Sequence, residues 1–412
     1  MKMIKRTLTE KILKAIKTRP VVLITGARQV GKTTICKYIM EKCGFQYVSL
    51  DDYKERNLAI SDPELFLKMH KSPLIIDEVQ HAPKLFDEIE KIVNETKFNT
   101  GKNYGMFVLT GSQAYHLIEG VSQSMAGRVS VLKMSPLSSS EIFSEIEQPF
   151  DADPLKAAER TSTYKIDVMQ LYQMIVKGFY PELYDNPDID INSFYSSYVQ
   201  TYLERDVSQL INIGNKLKFQ SFMEILASLT GEEYVANTIS NAIGVDTKTI
   251  QSWTSILEAG NIIKLIKPYN EISVVKRAIK RPKIYFTDTG LACYLARLND
   301  PKTLMVSAFN GRFIETYIVN EIIKSYYNNG IDANFFFYRD ADQNEIDLIV
   351  QEKGILTLVE CKSGVIYDSS SIKSFGKLAN SKYQIGPSCV ICNTDKIYKI
   401  KDNVYALPIT SI

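Results

Sequence analysis

Histidine is scarce. His70, His81 and His116 are the only three in 412 residues, too few and too dispersed for a His-based metal site. Six cysteines, Cys36, Cys43, Cys293, Cys361, Cys389 and Cys392, show no framework spacing, which excludes a disulfide-stapled secreted fold and leaves a reducing, cytoplasmic setting. Cys389 and Cys392 in "CVIC" lie in an apolar, strand-like run without a second ligand pair, so buried thiols are the simpler reading than zinc. No apolar run reaches the ~20 residues that span a bilayer, and the basic start "MKMIKRTLTEKILKAIKTRP" is broken by Glu10 with no signal-peptide core after it; no membrane partner is expected. An excess of one charge is missing too. Lys and Arg number 49 against 47 Asp and Glu, a net charge of +2, so any attraction for nucleic acid has to come from local clusters.

The length is enough for two or three hydrophobic cores. "VVLITGARQVGKTTICKYIM" reads as a buried strand, a glycine-bearing loop and a helix, the context that gives a G-x-x-x-x-G-K-[ST] match its meaning. Gly26, Ala27, Arg28, Gln29, Val30, Gly31, Lys32 and Thr33, with Thr34 following, are the candidate phosphate cradle: backbone N–H groups point inward, the helix adds its positive dipole end, and Lys32 reaches the β and γ phosphates. Arg28 is expected to face solvent. Thr33 and Asp77 are candidate magnesium ligands, Asp77 because "PLIIDEVQ" reads as a buried strand from Pro73 to Ile76 that ends in acid. Glu78 is placed to orient or deprotonate the attacking water. A third strand, "GMFVLTGSQ", ends at Thr110, Gly111 and Ser112, with Ser112 a candidate γ-phosphate sensor; a plain strand-to-turn transition explains the same residues. Arg128 in "MAGRV" is either a stabiliser of the transferred phosphoryl group, in its own subunit or a neighbour's, or a surface cation.

"TGARQVGKTT", "LIIDEVQ", "LTGSQ" and "MAGRV" together resemble the AAA-related P-loop ATPases (AAA_14 type) that carry a C-terminal domain of unknown function, DUF4143. "GFYPELY", "YLERDVSQL", "KIYFTDTGLACYL" and "FIETYIVNEI" are similar to that second domain's motifs. The resemblance implies ATP and Mg2+ as cofactors and ATP hydrolysis as the activity.

After "SPLSSSEIF" the chain turns helical, with a domain boundary expected near residue 160. Within "YLERDVSQL", Glu204, Arg205 and Asp206 point around a helix, Arg205 being an alternative phosphate sensor. The stretch from Phe219 to Tyr269 has the rhythm of a winged helix: a helix, a short helix from Asn237, a turn at Gly244, and a second helix capped by Asp246. Ile239, Ile243, Ile250, Trp253 and Leu257 would face inward, leaving Lys248, Thr249, Gln251 and Ser252 outward. Lys276, Arg277, Lys280, Arg281 and Lys283 form a basic cluster that engages phosphates or is simply solvated. Helix-turn-helix units also serve as protein-packing modules.

"EIDLIVQEKGILTLVECKSG" reads as a hairpin turning at Lys353 and Gly354. Val350 then faces Thr357, Leu348 faces Val359 and Asp347 faces Glu360. Opposed Cβ atoms lie about 4.5–5.5 Å apart, so the two carboxylates need a cation between them, and magnesium is the natural one. Lys362 projects to the same face as Glu360, where it can orient an attacking water. The arrangement resembles the PD-(D/E)xK nuclease core, which implies a further acid from the preceding helix, here Glu315, with Glu321 as a substitute. Asp342 and Glu345 add negative potential near the cleft.

The expected fold is α/β: a P-loop NTPase parallel-sheet domain (1–160), a helical region (161–215), a winged-helix-like module (216–290) and a restriction-endonuclease-like α/β domain (291–412). The leading function is ATP-driven control of a nuclease-like C-terminal half acting on nucleic acid, DNA favoured, in a possible homo-oligomer. The alternative is a nucleotide-gated protein that recognises a partner without cutting. A purely structural scaffold requires both constellations to be accidental.

Overall fold

The computed structural model describes residues 4–112, 127–161, 165–202, 216–271 and 281–412. The chain forms two compact units. One is Met1–Leu137 with Ala259–Ile262 and Tyr327–Ile331; the other is Ser138–Glu258 with Ile263–Tyr326 and Asp332–Ile412.

The first unit is built on β1 (Val21–Thr25), β2 (Gln46–Ser49), β3 (Leu74–Asp77), β4 (Phe107–Gly111) and β5 (Val129–Lys133), an all-parallel sheet in the order β2-β3-β4-β1-β5. The run "VVLIT" is buried at every position because helices cover both faces of such a sheet, which removes the alternation of a half-exposed strand. Helix α1 (Lys32–Cys43) follows the loop, entered through Gly31 at φ 99° and left through Gly44 at φ 72°, both in the left-handed region that glycine adopts without strain. Helix α2 (Leu85–Thr100) packs Leu85, Phe86, Ile89 and Val93 into a core shared with Leu74, Ile76, Phe107 and Leu109.

The expected boundary near residue 160 moves to Leu137–Ser138. The reason is hydrogen bonding: Phe150 N donates to Ser325 Oγ at 2.9 Å, Tyr326 OH to Phe150 O at 3.0 Å, and Arg160 Nε to Ser411 O at 2.6 Å. These bonds tie 138–160 to the second unit.

That unit contains β6 (Ile263–Pro268), β7 (Lys283–Phe286), β8 (Asn334–Arg339), β9 (Glu345–Glu352), β10 (Ile355–Cys361), β11 (Gln384–Ile385), β12 (Ser388–Cys392), β13 (Tyr398–Lys401) and β14 (Val404–Pro408). They form one nine-stranded mixed sheet, β13-β14-β12-β10-β9-β8-β6-β7, with β11 beside β10. Because β6 pairs with β8 in parallel, the segments expected as separate modules at 216–290 and 291–412 share a sheet.

Helices α3 (Val168–Lys177), α4 (Lys216–Ser228), α5 (Ala236–Ile243) and α6 (Thr247–Ala259) precede β6. Phe219 and Phe222 pack on Trp253 with centroids 5.2 and 5.5 Å away, and Asp246 caps α6 by accepting from Thr249 N at 2.9 Å. Ile239, Ile250, Trp253 and Leu257 are buried, while Ile243 is only half-buried; Lys248, Gln251 and Ser252 are exposed and Thr249 half-buried.

"GFYPELY" and "KIYFTDTGL" meet at Asp288. Its carboxylate accepts from Phe179 N at 2.6 Å, Leu291 N at 2.8 Å and Tyr195 OH at 2.8 Å, capping helix α7 (Thr289–Leu295). Gly178 and Gly290 approach so closely that a Cβ on Gly290 would lie 2.7 Å from Gly178 Cα. These stretches build a joint: a buried carboxylate is tolerable there because three donors satisfy it.

Candidate functional site

Two constellations stand out, one in each unit. In the first, the loop after β1 wraps tightly: Gln29 has φ 61° and Gly31 φ 99°. A Cβ on Gly26 would stand 2.2 Å from Met134 O, so Gly26→Ala should displace the loop from β5, costing about 1–3 kcal/mol in chemical denaturation and weakening nucleotide binding. Lys32 is buried, its Nζ donating to Gly26 O at 2.9 Å and Ala27 O at 2.8 Å; burial holds its pKa below the ordinary lysine value. Arg28 is half-buried, Gln29 and Thr34 are exposed, and Ala27 and Val30 are buried.

Strand β3 carries Leu74–Ile76 in the core and Pro73 outside it. Its neighbours then set the acid. Asp77 accepts from Thr33 Oγ1 at 2.9 Å, from Tyr47 OH at 2.8 Å and from Thr110 Oγ1. Thr33 and Asp77 offer hard oxygen donors side by side, a set that fits magnesium. Glu78 sits in left-handed backbone at φ 57°, a conformation that costs of order 1–3 kcal/mol for a non-glycine residue and gathers at functional sites. Its carboxylate accepts from Gln80 Nε2, and Ser112 Oγ lies 3.5 Å away.

Arg128 is elsewhere. Val129 pairs with Val21, so Arg128 flanks the start of β1, whereas the loop follows its end; four strand steps separate them, roughly 13 Å. Arg128 bonds Glu90 at 3.0 Å instead. Its expected contact with a phosphoryl group in its own subunit is therefore withdrawn. Glu204, Arg205 and Asp206 lie outside the described residues, as do Lys276, Arg277, Lys280 and His116.

In the second unit the hairpin turns at Lys353 (φ 49°) and Gly354 (φ 80°), two consecutive left-handed residues as a tight hairpin turn needs. Val350 pairs with Thr357 and Leu348 with Val359, and the next step in that register opposes Asp347 to Glu360. Both acids are buried and share one lysine: Lys362 Nζ lies 2.7 Å from Glu360 and 3.5 Å from Asp347. They line a cavity of about 450 Å³ with Lys283, Glu315, Arg339 and Glu345. Cys361 N donates to Asp347 at 2.8 Å.

The electrostatics separate the two carboxyls. Burial and the Asp347 charge push Glu360 up to about 9. Asp347 is itself buried, yet Lys362, Lys283 and the Cys361 amide hold it below the usual range. Glu315 is raised to about 7, chiefly by burial.

Glu315, expected to complete the carboxylate site, lines that cavity with Asp347 and Glu360; Lys283 is corrected. Expected to be a phosphate-facing or solvated cation, it is 2% exposed and paired with Glu315 at 2.8 Å and with Glu345. Tyr285 OH also donates to Glu315, at 2.6 Å. Glu315 is thus occupied by an ammonium and a phenol, and among the described residues no group of three or more His, Cys, Asp or Glu gathers as a metal site. Glu321 pairs with Lys324 at 2.6 Å and accepts from Ser139 N at 2.8 Å, and is not among the residues lining that cavity. Asp342 is exposed beside Lys377, and Cys389 and Cys392 are buried.

Sequence reading missed Tyr47, Gln80 and Tyr285 as site residues and placed Lys283 in the wrong setting. Tyr47 sits on the neighbouring strand, and its register to Ile75 has no sequence signal. Gln80 ends the stretch "LIIDEVQ", two residues beyond Glu78, and its polar side chain there is the signal that could find it.

Residues 18–143 match the AAA domain model AAA_14, residues 168–302 a domain of unknown function, DUF8612, and residues 310–412 another, DUF4143. The first unit therefore carries an AAA-type P-loop ATPase domain. Of the stretches compared with DUF4143, "FIETYIVNEI" falls in its range; "GFYPELY", "YLERDVSQL" and "KIYFTDTGLACYL" fall in DUF8612 instead. An uncharacterized protein of Mycobacterium tuberculosis is 23% identical over 99% of this chain and 84% of its own length, and one of Methanocaldococcus jannaschii is 23% identical over 68% of this chain and 63% of its own. Among solved structures, a Walker-type ATPase of Pyrococcus abyssi is similar at TM-score 0.44 and 11% identity, covering 71% of this chain and 96% of that one. Thermotoga maritima RuvB is similar at TM-score 0.31 and 14% identity, covering 62% and 88%. No helix among the described residues is long and apolar enough to cross a membrane.

Proposed function

We propose that the first unit binds and hydrolyses ATP and that the second uses its carboxylate cavity on nucleic acid, DNA favoured, under control of the nucleotide. The observation that carries the first part is the 2.9 Å contact of Thr33 with Asp77, directly after the Lys32 loop and one residue before Glu78. Magnesium, held by Thr33 and Asp77, would neutralise phosphate charge. Lys32 exchanges its two loop carbonyls for phosphate oxygens, and Glu78 accepts the proton of the attacking water. Ser112, beside Glu78, is the group we assign to sensing the γ-phosphate.

For the second unit, the support is the pair of directly opposed acids with Lys362 against both. Asp347 and Glu360 would hold a divalent ion, which supplies charge stabilisation at a scissile phosphate. Lys362 orients the water. The three-helix segment ending in α6, with Lys248, Gln251 and Ser252 exposed, is read as a winged helix that presents these residues to DNA.

A second reading, recognition of a partner without cutting, is favoured by one observation: the cavity's acids already have internal cations, Lys362 against Asp347 and Glu360 and Lys283 against Glu315 and Glu345. Incubation with single-stranded, double-stranded and branched DNA or RNA, Mg2+ or Mn2+, and ATP separates the two. Cleavage lost in Glu360→Ala/Lys362→Ala supports the nuclease reading. Binding without cleavage supports the other.

A further inference from the structure

We infer that Gln80 is a second water-placing group of the ATPase site, its side-chain carbonyl and the Glu78 carboxylate together fixing the nucleophile. This rests on the reading of Glu78 as the base.

The turn Val79–His81 follows β3 directly and brings Gln80 back over Glu78. Its Nε2 donates to Glu78 and lies 3.4 Å from Ser112 Oγ. With the amide nitrogen committed to those two groups, the carbonyl Oε1 is held on the other side of the same carbon. That oxygen is buried and has no hydrogen-bond partner among the described residues. A buried acceptor left unpaired costs about 1–3 kcal/mol, and such orphans call for a functional explanation or a water. The neighbouring Glu78 is itself held in left-handed backbone. Two unfavourable features thus fall at one place, where a water is required by hydrolysis.

A water has two protons. Given to Glu78 and to Gln80 Oε1, they turn the oxygen's lone-pair side toward phosphorus. The water oxygen then bonds the γ-phosphorus, the bond from that phosphorus to the β–γ bridging oxygen breaks with its electron pair leaving on ADP, and the water's proton passes to Glu78. Gln80 gains and loses no proton; it sets the direction of attack. Because its nitrogen also touches Ser112, movement of Ser112 on phosphate contact is passed to the same amide.

The test uses the full chain with Mg-ATP, following steady-state hydrolysis and, separately, binding of a fluorescent ATP analogue. Gln80→Met, which keeps the side-chain length but removes both polar atoms, should lower kcat roughly 10- to 100-fold, leaving KM and analogue affinity within about threefold. Gln80→Glu keeps an acceptor but puts a second carboxylate beside Glu78, so it should retain more turnover than Gln80→Met and move the acid limb of the pH–rate profile to higher pH, since a like charge raises the pKa of the base. Wild-type kcat in Gln80→Met overturns the inference, as does loss of analogue binding in parallel with kcat, which marks a merely structural role. An unmoved pH profile in Gln80→Glu overturns it as well. Wild-type turnover in Glu78→Gln is a different failure: it removes the base itself.

Discussion

Glu78→Gln is expected to bind ATP about as well as the wild type and to hydrolyse it roughly 10²–10⁴-fold more slowly. The substitution preserves shape and the carbonyl that accepts from Gln80, and it leaves Thr33, Asp77 and Lys32 in place. Only the proton acceptor is removed. Lys32→Ala should differ in kind, because in the proposed mechanism it takes away a cation that contacts phosphate in ground and transition states alike, and should raise KM as well as lower kcat. Steady-state kinetics with a parallel binding titration distinguish the two patterns. Wild-type turnover in both variants would remove the ATPase mechanism.

The second large effect concerns the carboxylate cavity. Glu360, raised to about 9 by burial and by Asp347, keeps in the native state a proton that an unfolded chain releases near pH 4.5. The folded protein therefore binds more protons than the unfolded chain between those values, and stability falls as pH rises through that window. Glu315, raised to about 7, acts with the same sign over the lower part of it. Asp347, whose pKa is lowered, acts oppositely, its contribution being lost only in acid. Thermal melts of the wild type in chelator from pH 5.5 to 9 should show Tm falling, with a loss on the order of a few kcal/mol. Glu360→Gln should flatten the slope most clearly above about pH 8, where Glu315, at about 7, has largely finished titrating. A wild-type Tm independent of pH across that range would mean that the two acids do not share a face in solution.

Much of the first site was legible in the chain. Strand, loop and acid-ended strand are each local, and their order is dictated by short-range geometry: continuous apolar runs for a sheet covered on both faces, glycine where φ is positive, and acid where the strand emerges. The hairpin register was legible for the same reason, since a two-residue turn with left-handed Lys353 and Gly354 leaves one pairing, which opposes Asp347 to Glu360. The resemblance to AAA-type ATPases and to DUF4143 was legible from the motifs, though it assigned to one domain stretches that match another model.

Tertiary structure decided what surrounds those residues. Arg128, read either as a contact to the phosphoryl group or as a surface cation, lies at the opposite end of its strand from the Gly26–Thr33 loop, because parallel pairing aligns its neighbour Val129 with Val21 and not with the loop. Lys283, read among exposed cations, is buried between Glu315 and Glu345, since β7 pairs with β6 and β6 with β8, bringing a distant strand against the acids. Local chemistry is written in spacing and residue type, and so the sequence alone determined the phosphate loop and the facing carboxylates. Which charge ends beside which is set by strand order across a nine-stranded sheet, and that order depends on contacts between residues far apart in the chain.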